Sequence, residues 1–318
     1  MSETTGRLGW RALRGLGKGC LGAAALGMAI LVGLPGPASA QTLDLKDPAD
    51  SLAVMRKIQC HAEDGKPAFY WWSGDVYSRR QGERDVLLFK VEGMNVRTCQ
   101  SVTDEKRGAG FRLVSREILL YLDPKTGQPL STWTNPWTGE AVEVMHVAND
   151  PVNNGFFAVG RDGKPAAMPF FEMSGTVFLN FEVPLFYTNP LGGAYQAEVG
   201  GTYHATEMFN FAAQSDVLLD PKTTTAPDAI VGWARISQWL PWMKMGGREG
   251  VLYFHTIGKR VDGIDAMPAV LRDAIRTTYP TYAEPPPVDD ARPNETSWTV
   301  YQKEIEKRGK PAAPAGGK

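Results

Sequence analysis

Short runs in which apolar and polar residues alternate dominate the chain from Phe69 onward and indicate β-strands. The runs are rich in aromatic and β-branched residues, and turn formers such as residues 123–127 and 135–139 separate them. Many strands with few helices predict a mostly β, single-domain protein, built as an antiparallel barrel-like sheet with a few peripheral α-helices; a sandwich is the alternative. The predicted strands cover residues 70–77, 86–96, 111–122, 130–134, 141–147, 156–159, 177–187, 201–213, 230–240 and 250–261.

Three segments carry helix signals instead. Residues 48–58 follow Asp47, whose side chain can cap the first turn, and begin with Pro48, which suits the first helical position. The other two segments are residues 267–278, which end before a proline, and residues 298–307, where apolar residues recur at helical spacing. Because helices are so few, we expect them to pack at the periphery of the sheet.

The amino terminus has the features of a secretion signal rather than of a folded segment. A basic stretch precedes an apolar run at residues 21–34, which is short for a membrane span, and residues 38–40 supply the small side chains of a cleavage site. We therefore predict a signal peptide at residues 1–40, cleavage after Ala40, a periplasmic location and no stable membrane insertion after cleavage. An uncleaved amino-terminal anchor is the alternative.

The rest of the chain divides into a predicted β domain at residues 41–283 and a carboxy-terminal part at residues 284–318. The latter comprises a proline-rich connector, a short helix and a tail at residues 310–318 that is predicted to be disordered. Without the leader, which holds four basic residues and one acidic residue, 30 basic and 34 acidic residues remain. This mild negative charge and the lack of a basic stripe argue against nucleic acid as a partner.

Two cysteines, Cys60 and Cys99, remain after the leader is removed. An exported protein meets an oxidising compartment, so a Cys60–Cys99 disulfide is expected. Two buried free thiols are the alternative, because spacing along the chain does not place two Cα atoms within bonding reach.

Motifs of the common enzyme classes are absent from the sequence. It contains no GxSxG, HExxH, phosphate-binding loop or dinucleotide fingerprint, so we predict no organic cofactor. The four histidines have no ligand spacing, so no metal site is predicted either. A metal-dependent hydrolase would need His146, His204 and His255 to meet in the fold.

Residues 116–154 concentrate polar side chains able to do chemistry, and they supply the candidate site. His146 ends the strand pattern of residues 141–147 and meets a predicted turn at residues 149–151. A histidine with a carboxylate beside it suits proton transfer. We therefore predict His146 as the catalytic acid or base and Asp150 as the group that orients it.

Further residues of this segment are predicted to bind the substrate. Asparagine side chains could hold a carbonyl or enolate oxygen, and a buried arginine could bind a carboxylate in a two-pronged way. The alternative for each asparagine is a turn former that bonds its own backbone, and for Arg116 a structural ion-pair set with Glu117 and Arg97. The predicted substrate-binding residues are Asn135, Trp137, Asn149, Asn153, Arg116 and Tyr121.

Aromatic residues are abundant, with 9 Trp, 10 Tyr and 13 Phe in the sequence. They are expected to form the β core, and around a partly hollow core they would line a pocket for a hydrophobic or aromatic small molecule. Residues 239–247 combine exposed bulky side chains with two glycines, which predicts either a lid over the barrel mouth or a loop packed on the outside.

Long phrases of the sequence resemble the DUF1838 family, exported bacterial proteins of unknown function. The phrases are LLFKVEGMNVR at residues 87–97, REILLYLDPKTG at residues 116–127 and NPWTGEAVEVMHVANDPVNN at residues 135–154. The resemblance covers about residues 44–282. It implies the family's fold and an exported location, but no activity.

Two functional hypotheses follow. The first is an exported, cofactor-independent enzyme that acts on a hydrophobic or aromatic small molecule by proton transfer, as an isomerase, lyase or hydrolase. The second is a periplasmic lipocalin-like carrier that binds such a molecule without turnover. A cavity on which His146, Asp150 and an asparagine converge would favour the enzyme, and a cavity lined only by apolar side chains would favour the carrier.

Overall fold

Nine antiparallel strands form a half-barrel sheet in the computed structural model, which describes residues 42–187, 191, 202–245 and 247–309. The strands are β1 Ala68–Arg79, β2 Val86–Asp104, β3 Gly108–Leu122, β4 Thr132–Thr134, β5 Ala141–Glu143, β6 Val147–Phe157, β7 Phe170–Met173, β8 Thr176–Tyr187, β9 Tyr203–Gln214, β10 Ile230–Ser237 and β11 Val251–Val261. Their order across the sheet is β6-β3-β2-β1-β11-β10-β9-β8-β7, while β4 and β5 form a separate hairpin.

The predicted mostly β, single-domain fold with few helices is confirmed. Strands β6 and β7 lie at the two ends of the order, so the sheet is an open half barrel rather than a closed barrel. All described residues belong to one compact unit, Ala40–Lys318. The predicted signal peptide at residues 1–40 and the predicted tail at residues 310–318 lie outside the described residues.

Four α-helices accompany the sheet in the described part of the chain, and three of them match the predicted helices. Asp47 caps the first helix, because its side chain accepts hydrogen bonds from the amides of Ala49 and Asp50 at 2.9 and 3.0 Å. No helix within the described ranges is long and apolar enough to cross a membrane. The helices are α1 Pro48–Gln59, α2 Ser215–Leu218, α3 Ala269–Thr277 and α4 Ser297–Lys307.

The chain around the predicted strand at residues 141–147 takes a different course from the prediction. Strand β5 ends at Glu143, and β6 then runs as a strand through residues 149–151, which were predicted to turn. These turn-forming residues extend because they find a partner strand: Asn149 lies opposite Glu117 in the ladder of β6 with β3. A register shift in that ladder accommodates the proline, which has no amide hydrogen to donate.

Alternation along the strands divides their side chains into an inner and an outer set. On β3, Leu119 and Tyr121 face the interior of the half barrel, whereas Ile118 and Leu120 face outward. Helix α3 packs on this outer surface and buries Leu271 there.

Two helices close the ends of the half-barrel interior. Helix α1 inserts Val54 and Ile58 among the inner side chains at one end. Helix α4 inserts Trp298 at the other end. Residues 239–247 were predicted as a lid or an outer loop with exposed bulk. Apart from Lys244, residues 239–245 are instead buried at this second end, where Trp242 is only 5% exposed.

The segment predicted as a connector after residue 283 packs against the sheet. Arg116 donates from Nη1 to the carbonyl oxygens of Thr281 and Glu284, both at 2.8 Å. The amide of Glu295 donates to the carbonyl oxygen of Pro151 at 2.9 Å. The segment therefore belongs to the folded unit instead of merely linking it to a helix.

Cys60 and Cys99 form a disulfide, as expected, with an S–S distance of 2.06 Å and Cα atoms 5.9 Å apart. Cys60 directly follows α1, and Cys99 lies on β2. Because both cysteines are buried, the bond ties the helix to the sheet from inside the core.

Candidate functional site

A cavity of about 460 Å³ occupies the interior of the half barrel. Inner-facing side chains of β1 to β3, β6 and β8 to β11 line it, and residues 294–298 of the carboxy-terminal segment complete the lining. The volume is typical of a small-molecule site, and a mainly apolar lining with a few charged groups is the usual composition of such sites.

Aromatic rings form one wall of the cavity. Phe181, Phe209 and Phe211 lie nearly parallel to one another, with ring centroids 5.2 to 6.4 Å apart. The rings of Trp72 and Trp233 also line the cavity, with their centroids 6.3 Å apart. This wall offers flat apolar surfaces to a ring-shaped or planar ligand.

Glu117 lies in the middle of a polar row that crosses three strands. Asn95 of β2 and Asn149 of β6 lie directly opposite it in the two flanking ladders. The Nδ2 atom of Asn95 donates a hydrogen bond to Oε1 of Glu117 at 2.9 Å. Directly opposite side chains of antiparallel strands are close enough to touch, so the register itself builds this row.

Glu207 belongs to a second polar group, on β9 and β10. Arg235 is its ladder partner and forms an ion pair with it, with Nη1 and Oε1 3.1 Å apart. The other terminal nitrogen of Arg235, Nη2, donates to the hydroxyl of Tyr203 at 2.6 Å. The three side chains line the cavity together.

The two glutamates experience different electrostatic surroundings. Burial raises the pKa of Glu117, and the charge of Glu207 raises it further, while Arg97 and the hydrogen bond from Asn95 oppose this. Burial also raises the pKa of Glu207, but the adjacent guanidinium of Arg235 opposes the effect. Glu207 therefore has a charged partner in contact, whereas the hydrogen-bond partners of Glu117 are neutral amides.

Arg97 extends the row of Glu117 toward α1. Its Nε donates to Oδ1 of Asn95, and its Nη1 donates to Oε1 of Gln59, the last residue of α1. The guanidinium lies 4.9 Å from the ring centroid of Tyr70. Glu117, Asn95, Arg97 and Gln59 thus form a continuous chain of polar contacts along the cavity wall.

His146, predicted as the acid or base, is not among the described residues that line the cavity. Its Nδ1 accepts a hydrogen bond from the amide of Tyr121 at 3.1 Å, and the imidazole lies nearly parallel to the tyrosine ring. Burial lowers the pKa of His146 to about 4, so the ring is neutral at neutral pH. The imidazole accepts from the backbone of β3 just past the point where the β6 ladder ends.

The structure does not bring Asp150 to His146, which corrects the predicted pair. The Oδ1 atom of Asp150 contacts Nε of Arg116 at 3.1 Å and Nη2 of Arg292 at 2.8 Å, on the outer side of the sheet. The pairing fails because the predicted turn is a strand, in which Asp150 and its neighbour Asn149 point to opposite faces. Arg116, predicted to bind substrate, instead anchors the carboxy-terminal segment.

Three further predicted substrate-binding residues also lie away from the cavity lining. Asn135 is fully buried and acts as a turn former, since its Oδ1 accepts from the amide of Trp137 at 2.9 Å and its Nδ2 donates to the carbonyl of Met243 at 3.2 Å. The ring of Trp137 packs against Trp239, with centroids 5.2 Å apart. Asn153 donates to two carbonyl groups of the carboxy-terminal segment at 3.3 Å.

Tyr121 and Asn149 are the predicted residues that do line the cavity. Tyr121 is buried, and its ring contacts those of Phe89 and Trp242, both at 5.4 Å. Asn149 flanks Glu117 from β6, and its Oδ1 has no hydrogen-bond partner among the described residues. The candidate segment is therefore adjacent to the cavity, but most of its polar residues serve the fold.

The described residues hold no group of three or more His, Cys, Asp or Glu side chains that could bind a metal ion. His204 and His255 are exposed on β9 and β11, while His146 lies beside Tyr121. The three histidines that a metal-dependent hydrolase would need do not meet.

The comparison with known families supports the resemblance seen in the sequence. The model of a family described as a protein of unknown function, DUF1838, matches residues 65–305. The chain belongs to the DUF1838 family. No curated protein matches the chain. The DUF1838 match covers the whole sheet and most of α4, so it includes both polar groups of the cavity and the segment that covers them.

Five polar residues of this DUF1838 cavity that the sequence analysis did not select share one signal. Each lies on the strand face that is otherwise apolar. On β9, for example, Glu207 is on the same face as Tyr203, Phe209 and Phe211, because alternate residues of a strand point to the same side. A charged residue at such a position must face the interior, so the pattern could have identified it. The residues with this signal are Asn95, Arg97, Glu117, Glu207 and Arg235.

Proposed function

We propose that this DUF1838 protein is an enzyme that acts on a hydrophobic or aromatic small molecule by proton transfer, with Glu117 as the acid or base. One observation carries the proposal: the carboxyl group of Glu117, which has a raised pKa and accepts a hydrogen bond from the side-chain amide of Asn95, faces a mainly apolar cavity. A carboxyl whose pKa moves toward neutral suits proton exchange with a bound molecule. The reaction classes are isomerase, lyase and hydrolase, without an organic cofactor.

The two glutamates support different roles. Glu207 is ion-paired with Arg235, while the hydrogen-bond partner of Glu117 is the neutral amide of Asn95. Two carboxyl groups in different surroundings are a usual arrangement of an acid and an electrostatic stabiliser. Glu117 therefore moves the proton, and Glu207 fixes the orientation of Arg235.

Tyr203 and Arg235 are suited to bind an oxygen of the substrate. The tyrosine hydroxyl accepts from Nη2 of Arg235, so its own hydrogen is available to a carbonyl or enolate oxygen in the cavity. A donor fixed in advance next to a guanidinium stabilises negative charge that develops on such an oxygen.

We place this enzyme in the periplasm. The proposal is supported by the leader-like residues 1–40 and by the Cys60–Cys99 disulfide, which persists in oxidising compartments. Detection of a mature chain that begins at Gln41 in the periplasmic fraction would support it, and an uncleaved chain in the membrane fraction would contradict it.

A carrier without turnover is the second candidate, and the ring wall of Phe181, Phe209 and Phe211 favours it. Such a surface binds a hydrophobic molecule whether or not chemistry follows. The ion pair of Glu207 and Arg235 argues against this candidate, because burying charges costs free energy and a purely apolar carrier would not need them.

The test of the proposed function separates binding from turnover. Aromatic and alicyclic metabolites are incubated with the mature protein, and conversion is followed by mass spectrometry. For a converted compound, Glu117→Gln should lower kcat by about a hundredfold or more, because the amide cannot exchange a proton. Binding of the same compound should remain, since the amide fills the same space.

Glu182→Gln is the matched control, because Glu182 is an exposed glutamate on β8. It should retain wild-type turnover. Full turnover by Glu117→Gln would remove Glu117 from the mechanism. Tight binding of several compounds with no conversion of any of them would favour the carrier.

A further inference from the structure

Arg97 is a buried guanidinium that contacts no carboxylate among the described residues. Its hydrogen bonds go to Asn95 and Gln59, and its third contact is the ring of Tyr70. All three partners are neutral. The other arginine of the cavity, Arg235, has Glu207 as its ion-pair partner.

The charge of Arg97 therefore has no carboxylate in direct contact among the described residues. Arg97 and Arg235 each carry a positive charge, because a guanidinium remains protonated even when buried. Of the carboxyl groups that line the cavity, Glu207 pairs with Arg235 and Glu295 pairs with Lys303. Glu117 is linked to Arg97 only through the side chain of Asn95. A buried guanidinium with no carboxylate in contact is unfavourable in an apolar interior unless an anion compensates it.

We propose that Arg97 is the carboxylate-binding subsite of the cavity and that the substrate is an aromatic or alicyclic carboxylic acid. This inference rests on the proposed function and deepens it by naming the substrate class. The carboxylate pairs with Arg97, and the carbon skeleton extends over the aromatic wall. A guanidinium presents a planar fork of donors that matches a carboxylate.

The strand register sets the distance from this subsite to the acid or base. Arg97 lies opposite Ser115 in the β2–β3 ladder, and Glu117 lies two residues farther along β3. Two residues of a strand span about 7 Å, so a skeleton anchored at Arg97 passes Glu117 a few bonds from its carboxylate.

Arg97 is held in place before any ligand arrives. Gln59, which accepts from its Nη1, is the last residue of α1 and precedes Cys60 of the disulfide. Asn95 fixes Nε from the same strand. A group that is ordered in advance loses little freedom on binding, which increases affinity.

The test compares acids with their neutral counterparts. The probes are 2-naphthoate, cinnamate, phenylacetate and cyclohexanecarboxylate, each paired with its primary amide, and binding to the mature protein is measured by calorimetry at pH 7.5. At least one acid should bind about tenfold more tightly than its amide, and Arg97→Met should abolish that preference. Arg112→Met, on the outer face of β3, is the matched control and should retain it.

Arg97→Met could lose stability, so thermal unfolding is measured in parallel. If the variant does not fold, Arg97→Lys replaces it, and the acid preference should fall at least about threefold because an ammonium lacks the planar fork. Acids that bind no more tightly than their amides, or not at all, overturn the proposal. So does an acid preference that survives the loss of Arg97.

Glu117→Gln separates this inference from the proposed function. If the variant loses turnover but acids and amides bind wild-type protein equally, proton transfer stands and the carboxylate subsite fails. If the variant retains both turnover and the acid preference, the subsite stands and the role of Glu117 fails.

Discussion

At the scale of single residues, surroundings rather than residue type decide what a titratable side chain does. His146 has the side chain best suited to proton transfer near neutral pH, yet it accepts a hydrogen bond from a backbone amide and stays neutral. Glu117 has an ordinary carboxyl group, yet burial and the charge of Glu207 raise its pKa. The proposed proton transfer is therefore assigned to the glutamate.

The lowered pKa of His146 predicts a loss of stability in acid. The unfolded chain takes up a proton on this histidine below about pH 6.5, whereas the folded protein resists it down to about pH 4. The free energy of unfolding should therefore fall as the pH falls through this window. At pH 4.5 the contribution of His146 to the loss is on the order of 2 kcal/mol.

Urea denaturation of wild-type protein and of His146→Asn at pH 7.5 and 4.5 measures this contribution. Asparagine keeps an acceptor for the amide of Tyr121 and does not titrate, so the variant should lose less stability in acid. His204→Asn, which changes an exposed histidine, should behave like wild type. Equal losses in wild type and His146→Asn would contradict the structural role of His146.

At the scale of elements, strand pairing assembles the site, because residues opposite one another on neighbouring strands are in contact. Gly93 shows how tightly one such row is packed. The indole of Trp72 lies over this glycine, and a Cβ atom at position 93 would stand 2.2 Å from Nε1 of Trp72. The tryptophan lines the cavity beside Asn95, so the glycine helps to define the shape of the cavity.

Gly93→Ala is therefore expected to displace Trp72 and to lower the free energy of unfolding by about 1–3 kcal/mol, as overpacking of a core does. Gly232→Ala is the matched control on β10, where the nearest atoms to an added Cβ belong to Asn210 at 3.6 Å or beyond. It should leave stability nearly unchanged. Equal urea midpoints for the two variants would show that Trp72 moves aside without cost.

At the scale of the whole molecule, an open sheet holds a closed-off interior because other segments cover it. Helix α1 lies at one end, and α4 with residues 239–245 lies at the other. Residues 294–298 complete the lining, held by contacts of Arg116 and Asp150 on the outer side. The cavity is therefore a product of the complete unit rather than of the sheet.

The disulfide is expected to be a major support of this arrangement. It closes a loop with a sequence separation of 39 residues, so its removal should cost about 4 kcal/mol by the loop-entropy relation. Urea denaturation of the Cys60→Ser, Cys99→Ser double variant measures the loss. A reductant should lower the free energy of unfolding of the wild-type protein to that of the variant and should leave the variant unchanged. If the reductant cleaves the disulfide and the stability of the wild-type protein does not change, the expected contribution is contradicted.

Local patterns determined much of this protein. Alternation located most strands of the half barrel, because burial on one face of a strand follows a period of two that is visible without knowing the partner strand. The cap at Asp47 was equally predictable, since its partners are its own neighbours in the chain. Even the interior position of Glu207 is indicated by the sequence, because alternation along its strand places this residue on the apolar face.

Only the tertiary structure decided which of these residues meet. Asn95 and Asn149 are far apart in the chain and flank Glu117 because β2 and β6 happen to border β3. Local turn chemistry predicted the wrong face for Asp150, because pairing with β3 outweighed the turn preference of its neighbours. Strand order and register depend on contacts distant in sequence, so the sequence determined the wall-forming residues and the fold assembled them into a site.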